Sequence, residues 1–278
     1  MITILTTTYN RSEKLSRVYD SLRKQTTLDF KWLVVDDGST DDTGEYIASI
    51  SVSSPFIINY ISKENGGKHT ALNTGYESID TDWTLILDSD DWLKQDCIET
   101  LNNYINNYGD VNDAISFLRV DPNFKVIGDN NPENIDNYLD KIRLSIAGDK
   151  AGIHKTKIAR KFRFPEFEGE KFMSEMPFFL WFGSKYKTKF INYAGYICEY
   201  QEDGLSAKII ENRYSNINST LFVYEQMYFN KSYLPFRIRA GINWWRFKIG
   251  NDVDVSRRPS YILFLFGYAL NLIDRFQK

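Results

Sequence analysis

The stretch Trp83–Trp92, which reads WTLILDSDDW, decides how the fold of this chain is interpreted. An apolar run of strand length ends abruptly in three carboxylates, Asp88, Asp90 and Asp91. Neighbouring carboxylates repel one another unless a divalent cation, a cationic partner or raised pKa values relieve the repulsion. Because hard cations such as Mg²⁺ and Mn²⁺ prefer oxygen ligands, the stretch indicates a metal site at the end of a strand. The alternative is a solvated acidic turn before a helix that starts near Lys94.

A second acidic cluster repeats this pattern upstream. Asp36 and Asp37 end a short β-branched run that begins at Trp32, and a glycine turn follows them. The first predicted strand, residues 2–6, is likewise followed by polar residues. In open α/β sheets, ligands bind outside the carboxyl ends of the strands. We therefore expect both acidic clusters to face one crevice.

A glycine-hinged turn lies between the third predicted strand and a helix. Gly66 and Gly67 allow backbone N–H groups to approach an anion closely, and Lys68 adds positive charge at the start of the helix. The turn matches neither a Walker A loop nor a GxGxxG fingerprint. On its own it is typical of an ordinary strand-to-helix connection, so its significance comes from its position beside the acidic clusters.

The composition indicates a folded protein without a basic surface for nucleic acid. Apolar residues make up 42% of the 278 residues and charged residues 26%, which is a globular profile. A net charge of −3 argues against binding to a phosphate backbone, so we expect no nucleic-acid partner. Cys97 and Cys198 lack CxxC spacing, which argues against a zinc site or a disulfide framework and fits a reducing compartment. Because Met1 leads directly into a predicted strand, we expect no signal peptide.

The first 110 residues alternate strands and helices, which predicts parallel strands joined by crossover helices. Strands are predicted near 2–6, 31–35, 56–61 and 83–87, and helices at 11–25, 41–50, 68–79 and 94–107. Asn10 and Glu13 have the spacing of a capping box for the first helix. After residue 110 the pattern changes to shorter strands, near 114–120 and 152–154.

From about Lys208 onwards the chain is predicted to be largely helical. Its longest apolar segment, residues 261–273, is shorter than the roughly 20 residues that span a bilayer. Arg257, Arg258 and Arg275 flank this segment, which is compatible with a helix lying in a membrane interface. A helix packed on its own domain is the more common structure for such a segment.

Four motifs stand in the order found in family 2 glycosyltransferases of the GT-A fold, and the chain resembles that family over roughly residues 1–206. The motifs are Thr7-Thr8-Tyr9-Asn10, Asp36-Asp37-Gly38-Ser39, Asn65-Gly66-Gly67 with Ala71-Leu72-Asn73-Thr74-Gly75, and Asp88-Ser89-Asp90-Asp91. The resemblance implies an α/β fold of the GT-A (Rossmann-like) type, with a mixed, mostly parallel central sheet flanked by helices. It divides the chain into a glycosyltransferase domain, 1–206, and a helical C-terminal extension, 207–278.

The resemblance also implies an inverting enzyme that moves a sugar from a nucleotide-diphosphate donor to an acceptor hydroxyl. It implies that Thr7, Tyr9 and Asp37 hold the nucleoside, with Tyr9 stacking on the base and Asp37 accepting a hydrogen bond from it. Asp88 is expected near the ribose, and Asp90 is expected to be the main protein ligand of a divalent metal, Mn²⁺ or Mg²⁺. The expected nucleotide-binding residues are Thr7, Tyr9, Asn10, Asp36, Asp37, Asn65, Gly67, Lys68, Asp88 and Ser89, and the expected metal ligands are Asp90 and Asp88.

An inverting transfer needs a base, which in this family is usually a carboxylate. Glu175 is the expected base because it stands in an acidic segment before a predicted helix, where the family usually has Glu-Asp and this chain has Ser-Glu. Helix-dipole stabilisation is the structural alternative for Glu175, and Glu170 is the fallback base. Tyr200–Ser206 resembles the family's loop that closes over the phosphates. Of the two histidines, His69 is expected to be a surface or capping residue and His154 is a candidate for acceptor contact.

The expected partners are a nucleotide-sugar donor, with UDP favoured over GDP and dTDP, and a carbohydrate or lipid-linked glycan acceptor. The resemblance suggests the synthesis of cell-surface polysaccharide, such as capsule, O-antigen or exopolysaccharide. This places the protein in the cytoplasm, with peripheral contact to the inner face of the plasma membrane through the C-terminal helices as an option. Three other interpretations stay open. They are a nucleotidyltransferase, which would normally carry a glycine-rich basic signature near its N-terminus, a catalytically degenerate nucleotide-sugar-binding protein, and a membrane-associated scaffold.

Overall fold

The apolar strand runs assemble into one mixed sheet in the computed structural model, which describes residues 1–199, 208–255 and 257–276. The strands are β1 Ile2–Thr8, β2 Phe30–Asp36, β3 Ile57–Ser62, β4 Trp83–Ile86, β5 Trp92–Leu93, β6 Ala114–Val120, β7 Lys150–Lys155 and β8 Thr188–Ile197. The helices are α1 Ser12–Arg23, α2 Thr43–Ser51, α3 Lys68–Ser78, α4 Cys97–Tyr108, α5 Tyr138–Arg143, α6 Thr156–Ala159, α7 Met176–Gly183, α8 Ile209–Ser215, α9 Ile217–Phe229, α10 Leu234–Lys248 and α11 Phe264–Phe276. A short 3₁₀ turn, Tyr261–Leu263, precedes α11.

The strand order across the sheet is β3-β2-β1-β4-β7-β6-β8-β5. β1 pairs in parallel with β2 and β4, β2 with β3, and β6 with β8. β7 runs antiparallel to β4 and β6, and β5 runs antiparallel to β8. Every residue of β1 is buried, because helices cover both faces of the parallel part of the sheet. The predicted fold class, a mixed and mostly parallel α/β sheet with helical flanks and a helical C-terminal region, is confirmed.

Alternate residues of the central strands enter two hydrophobic clusters, one on each face of the sheet. Ile4 and Trp32 belong to the first cluster, with helices α1, α2 and α4. Leu5 and Leu33 belong to the second, with α3 and α7. This alternation follows from the two-residue period of a strand. Because β1 pairs in parallel with β2 and β4, the carboxyl ends of these three strands lie at one edge of the sheet.

The C-terminal helices have a third hydrophobic cluster of their own. Trp244, Trp245 and Phe247 of α10 form its centre, with Tyr224 of α9 and Leu263 of the 3₁₀ turn packed against them. The proposed end of the first domain, residue 206, lies outside the described residues and stays a prediction. Across the described ranges, none of the helices is both long enough and apolar enough to span a bilayer.

The predicted capping box at the first helix is wrong. The residue that precedes α1 is Arg11, whose side chain makes no capping hydrogen bond. The backbone N–H of Ser12 donates to the Asp41 carboxylate at 3.1 Å. The side-chain oxygen of Asn10 instead accepts a hydrogen bond from the backbone N–H of Thr40, at 2.7 Å. Asn10 has a positive φ of 50°, a left-handed conformation that asparagine tolerates better than most residues. Asn10 therefore joins the loop after β1 to the loop after β2.

The expectations for the two histidines are also corrected, because both side chains are buried. His69 is 1% exposed, and its ring meets Phe164 edge-on. His154 is 6% exposed and lies between the rings of Phe178 and Phe182. Burial lowers the pKa of His154 to about 4, so the ring is neutral at physiological pH. Both histidines act as core residues in this fold.

Candidate active site

The carboxyl ends of three strands bring the two acidic clusters to one edge of the sheet, as the sequence predicts. Thr8 at the end of β1 is in register with Asp36 at the end of β2. On the other side of β1, the backbone of Leu87 continues the pairing with Leu5, and Asp88 follows directly. The crevice at this edge is the place where a ligand of an open α/β sheet binds.

Asp36 shapes the turn after β2. Its carboxylate accepts hydrogen bonds from the backbone N–H of Ser39, at 2.8 Å, and from the hydroxyl of Tyr60, at 2.5 Å. Burial and the neighbouring Asp36 charge raise the pKa of Tyr60 to about 12, so the phenol remains a donor. Asp36 is 2% exposed, and its contacts are those of a residue that supports the pocket wall.

Asp37 fastens the glycine turn to the end of β2. Its carboxylate accepts hydrogen bonds from the backbone N–H groups of Gly66, at 3.0 Å, and Gly67, at 2.6 Å, and from Lys63 Nζ at 2.9 Å. The Asn65 side chain donates to the Asp37 backbone oxygen at 2.8 Å. A carboxylate offers about four acceptor positions, and these three donors occupy most of them in a residue that is 3% exposed.

Three further expected nucleotide contacts are Thr7 and Tyr9 at the end of β1 and Ser89 after β4. The Tyr9 side chain is 47% exposed, which leaves an aromatic face open at the crevice edge. Thr7 is 8% exposed and Ser89 is 4% exposed, so both are more enclosed than Tyr9. The arrangement gives an exposed ring next to buried polar groups.

One lysine joins the acidic motif Asp88-Ser89-Asp90 (the DxD segment) to the expected base, Glu175. Lys68 Nζ lies 2.7 Å from Asp88 Oδ1 and 2.7 Å from Glu175 Oε1. Burial alone would lower the pKa of Lys68, but the charges of Asp88 and Glu175 outweigh it and raise the pKa. Burial would likewise raise the pKa of Asp88, but Lys68 and Arg119 lower it to about 2. Lys68, Asp88 and Arg119 are therefore charged at neutral pH and lie in one cluster.

Asp90 and Asp91 have different surroundings. Arg11 Nη1 lies 2.5 Å from Asp90 Oδ2, and Arg17 donates to the Asp90 backbone oxygen at 2.6 Å. Asp91 is 5% exposed, and burial followed by the charge of Asp88 raises its pKa to about 7. The Asp90 carboxylate therefore pairs with Arg11, whereas Asp91 is an interior group 4.0 Å from Arg119.

Arg11 and Arg119 are site residues that the sequence interpretation missed. Arg119 Nη1 lies 3.7 Å from Asp88 Oδ2, and the guanidinium stacks 4.5 Å from the centre of the Tyr196 ring. The Tyr196 hydroxyl accepts a hydrogen bond from the Asp88 backbone N–H at 2.9 Å. An arginine inside the mostly apolar strand β6 was the available signal for Arg119.

The fallback base, Glu170, has a structural role in this fold. Its carboxylate accepts hydrogen bonds from the backbone N–H groups of Asn218 and Ser219, each at 2.7 Å, at the start of α9. A carboxylate stabilises the positive end of a helix in this position. The segment Tyr200–Ser206, expected to close over phosphates, lies outside the described residues. Glu175 therefore remains the proposed base.

Replacing Gly67 with Ala is expected to destabilise the protein strongly. Gly67 has a φ of +93°, and a Cβ there would overlap the backbone carbonyl of Lys171. This close approach holds the start of α3 against the segment that leads to Glu175. We expect the free energy of unfolding to fall by more than roughly 3 kcal/mol, since the substitution adds an overlap with backbone to the cost of the positive φ. Urea denaturation measures the change.

Gly169→Ala is the matched control for this prediction. Gly169 also has a positive φ, of 74°, but no heavy atom lies within 4 Å of the position of its Cβ. It should lose only about 1–2 kcal/mol, the cost of the left-handed conformation. Equal losses in the two variants would contradict a tight contact between Gly67 and Lys171.

Comparison with known proteins identifies relatives of this chain. A family model described as Glycosyl transferase family 2 matches residues 3–165, more than half of the chain. Glycosyltransferase GlyA of Streptococcus pneumoniae is 38% identical over 107 residues, covering 38% of this chain and 15% of GlyA. The poly(ribitol-phosphate) beta-N-acetylglucosaminyltransferase TarP of Staphylococcus aureus is 30% identical over 106 residues, covering 37% of this chain and 32% of TarP. The matched segments thus cover a third or less of these relatives.

Solved structures show the same fold. S. aureus TarS 1-349 in complex with UDP-GlcNAc matches with a TM-score of 0.65 and 17% identity, covering 88% of this chain and 71% of TarS 1-349. The mannosyltransferase PcManGT from Pyrobaculum calidifontis, in complex with GDP-Man and Mn²⁺, matches with a TM-score of 0.57 and 17% identity. It covers 100% of this chain and 75% of PcManGT. At this identity the likeness describes the fold alone.

Proposed function

The chain belongs to glycosyl transferase family 2, and from this premise we propose that it is an inverting glycosyltransferase. The proposed reaction moves a sugar from a nucleotide-diphosphate donor to an acceptor hydroxyl. A UDP-sugar is the favoured donor, on the family resemblance and on the UDP-GlcNAc complex of TarS. The proposed pocket for its nucleoside is formed by Thr7, Tyr9, Asp36 and Asp37.

The shared contact of Lys68 carries this proposal. Its ammonium group touches Asp88 and Glu175 at the same time, although these acids are distant in the sequence. The proposed base therefore stands beside the DxD segment that would face the donor phosphates. Stabilisation of the helix dipole of α7 would not require a contact between Glu175 and Lys68, because any acid at the start of that helix can stabilise the dipole.

In the proposed reaction, Glu175 removes the proton of the acceptor hydroxyl while the hydroxyl oxygen forms a bond to the anomeric carbon of the sugar. The bond from that carbon to the diphosphate oxygen breaks on the opposite face, and its electron pair leaves with the nucleoside diphosphate. Lys68 is placed to stabilise the negative charge of this leaving group. When Lys68 turns to the diphosphate, Glu175 loses its ion pair and is free to act as a base.

Asp88 and Asp90 are the proposed ligands of a divalent cation. Their carboxylate oxygens suit Mg²⁺ or Mn²⁺, which proteins often hold through one or two carboxylates together with substrate phosphates. Within the described ranges, no group of three or more His, Cys, Asp and Glu side chains is arranged to hold a metal. The donor phosphates would therefore complete the set of ligands. Bound there, the cation would neutralise charge on the departing diphosphate.

We place this activity in the synthesis of a cell-surface polysaccharide, at the cytoplasmic face of the plasma membrane. The names of two relatives support this context: TarP and the teichoic acid poly(glycerol phosphate) polymerase of Staphylococcus epidermidis, which is 31% identical over 148 residues, covering 50% of this chain and 20% of that protein. The proposed acceptor is a carbohydrate or a lipid-linked glycan. Capsule, O-antigen and teichoic acid all fit one chemistry, because the fold does not choose among products.

Metal-dependent nucleotide binding tests the proposed function. We expect UDP to bind at least about tenfold more tightly with Mn²⁺ than with EDTA, because the cation offsets repulsion between the diphosphate and the acidic site. In Asp90→Ala this difference should disappear, since the main metal ligand is gone and Arg11 loses its carboxylate partner. Calorimetric titration of UDP, GDP and dTDP measures both effects and identifies the nucleoside.

Asp110→Ala is the control for Asp90→Ala, because Asp110 is an exposed acid after α4. It should bind nucleotide as the parent protein does. Absence of binding by all three nucleotides in the parent protein would overturn the proposed function. Binding that is equally tight with EDTA would retain the donor pocket but reject Asp90 and Asp88 as metal ligands.

A further inference from the structure

Helix α11 buries polar residues and exposes apolar ones, which is the reverse of a helix on a water-facing surface. Asn271 and Asp274 of α11 are buried, at 2% and 6% exposed. Apolar residues of the same helix and of the 3₁₀ turn before it point outwards. These outward residues are Ile262 at 78% exposed, Leu265 at 72%, Phe266 at 59%, Ile273 at 49% and Phe276 at 88%. With the exposed Ala269 between Phe266 and Ile273, spacings of three and four residues make one stripe along the helix.

A buried ion pair fixes this orientation. The Arg246 guanidinium donates to the Asp274 carboxylate, with one contact at 2.7 Å, and the Tyr214 hydroxyl donates to the same carboxylate at 2.6 Å. Asn271 donates to the backbone oxygen of Arg246 at 2.8 Å. Rotating α11 to bury its apolar side would break the ion pair between Arg246 and Asp274. Breaking a buried ion pair is costly, because it leaves a buried charge without its partner. The inward polar side therefore commits the apolar stripe to the outside.

The apolar surface extends beyond α11. Leu234 and Ile238 of α10 are 61% and 40% exposed, and together with Ile262 they line a shallow groove of about 190 Å³. Tyr261 and Tyr268 add exposed rings beside the stripe, at 60% and 44%. Aromatic residues with a polar end are favoured where an apolar layer meets water.

The net charge of residues 231–278 is positive, whereas the net charge of residues 1–230 is negative. Residues 231–278 contain nine Lys and Arg against three Asp, whereas residues 1–230 contain 25 Lys and Arg against 34 Asp and Glu. Among the basic residues, Arg257 and Arg258 precede the 3₁₀ turn, and Arg275 lies near the end of the stripe; all three are exposed. The nearest exposed acids in sequence are two, Asp252 and Asp254. Basic residues beside an apolar stripe complement a surface of anionic lipid.

We propose that the apolar stripe of α11 and the adjoining 3₁₀ turn form a docking surface for an anionic membrane. The helix lies in the interface, with Ile262, Leu265 and Phe266 in the acyl boundary and Arg258 at the headgroups. A 13-residue helix is about 20 Å long and so lies along the bilayer surface rather than across it. The inference rests on the proposed function for its purpose, which is to hold the active site at a lipid-linked acceptor.

Vesicle sedimentation tests the surface without any reaction. The 278-residue chain should bind vesicles that contain about 30% anionic phospholipid, bind zwitterionic vesicles weakly, and lose affinity as salt is raised. Phe266→Glu should lower the partition coefficient at least about tenfold, since a charge replaces an inserted ring. Arg258→Gln should lower it about fivefold on anionic vesicles alone, which corresponds to the loss of one surface charge.

Val52→Glu is the matched control, because Val52 is 91% exposed at the end of α2, outside the stripe. It should bind vesicles as the parent protein does. Failure of the parent protein to bind either kind of vesicle would overturn the proposal. So would a parent protein that binds no vesicles but forms a dimer in solution, if Phe266→Glu converts that dimer to a monomer. UDP titration of the same variants separates the membrane-docking proposal from the proposed function. Membrane binding can fail while nucleotide binding is intact, and nucleotide binding can fail while membrane binding is intact.

Discussion

Replacing Glu175 with Gln is expected to lower kcat by about 10²- to 10⁴-fold, the usual contribution of a general base. Gln has nearly the same shape but cannot accept the proton of the acceptor hydroxyl. The affinity for the nucleotide should not fall, because Glu175 competes with the diphosphate for Lys68 and its neutralisation leaves that cation free for the donor. Release of UDP from a UDP-sugar donor, with and without a panel of acceptor sugars, measures turnover, and calorimetry measures donor binding.

Glu168→Gln is the control for this variant. Glu168 is an exposed carboxylate in the same segment, so its neutralisation should leave turnover unchanged. Unchanged turnover in Glu175→Gln would place the base elsewhere. A parent protein that binds donor but shows no turnover with any acceptor would favour the open alternative, a catalytically degenerate nucleotide-sugar-binding protein, since there would be no base to lose.

The strands and their acidic ends could be predicted because their signals are local. A buried strand needs only a short apolar run, and the run from Trp83 to Leu87 ends where the acids begin. The rule that ligands of an open α/β sheet bind outside the carboxyl ends of its strands then predicted that Asp36 and Asp88 lie at one edge of the sheet. The capping box at Asn10 was wrong for a related reason: its spacing is also local, but a contact with Thr40 across two loops satisfies the side chain instead.

The cations of the site could not be placed from the sequence. Arg119 reaches Asp88 because β6 is joined to the β1–β4 half of the sheet through the antiparallel strand β7, and no local pattern predicts that strand order. The buried state of His69 has a similar cause, since it depends on Phe164 from a distant segment. Glu175 was predicted from its place before a helix, whereas its contact with Lys68 is a tertiary one.

Replacing Lys68 with Met is expected to lower both the affinity for the nucleotide and kcat, by about tenfold and at least about 10²-fold respectively. The affinity falls because one cation for the diphosphate is lost, and kcat falls because the leaving group loses its charge stabilisation. The variant also leaves Asp88 and Glu175 facing each other without their shared cation. Their mutual repulsion should lower the free energy of unfolding by about 1–3 kcal/mol at pH 7.

The pH dependence of this loss follows from the pKa of Asp88. Its pKa is lowered to about 2 in the folded protein, so its ion pairing stabilises the fold above the ordinary value of 3.8 and is lost as the pH falls from 3.8 towards 2. The stability gap between Lys68→Met and the parent protein should therefore be full at pH 7 and narrow over that acidic range.

Lys31→Met is the matched control, because the Lys31 side chain is as buried but pairs with the exposed Asp80 alone. It should cost less stability and leave nucleotide affinity unchanged. Adding Glu175→Gln to Lys68→Met should restore part of the lost stability, since one of the two repelling charges is removed. If the two substitutions were additive, Lys68 would not couple the DxD segment to the base, and the proposed release of Glu175 on donor binding would be rejected.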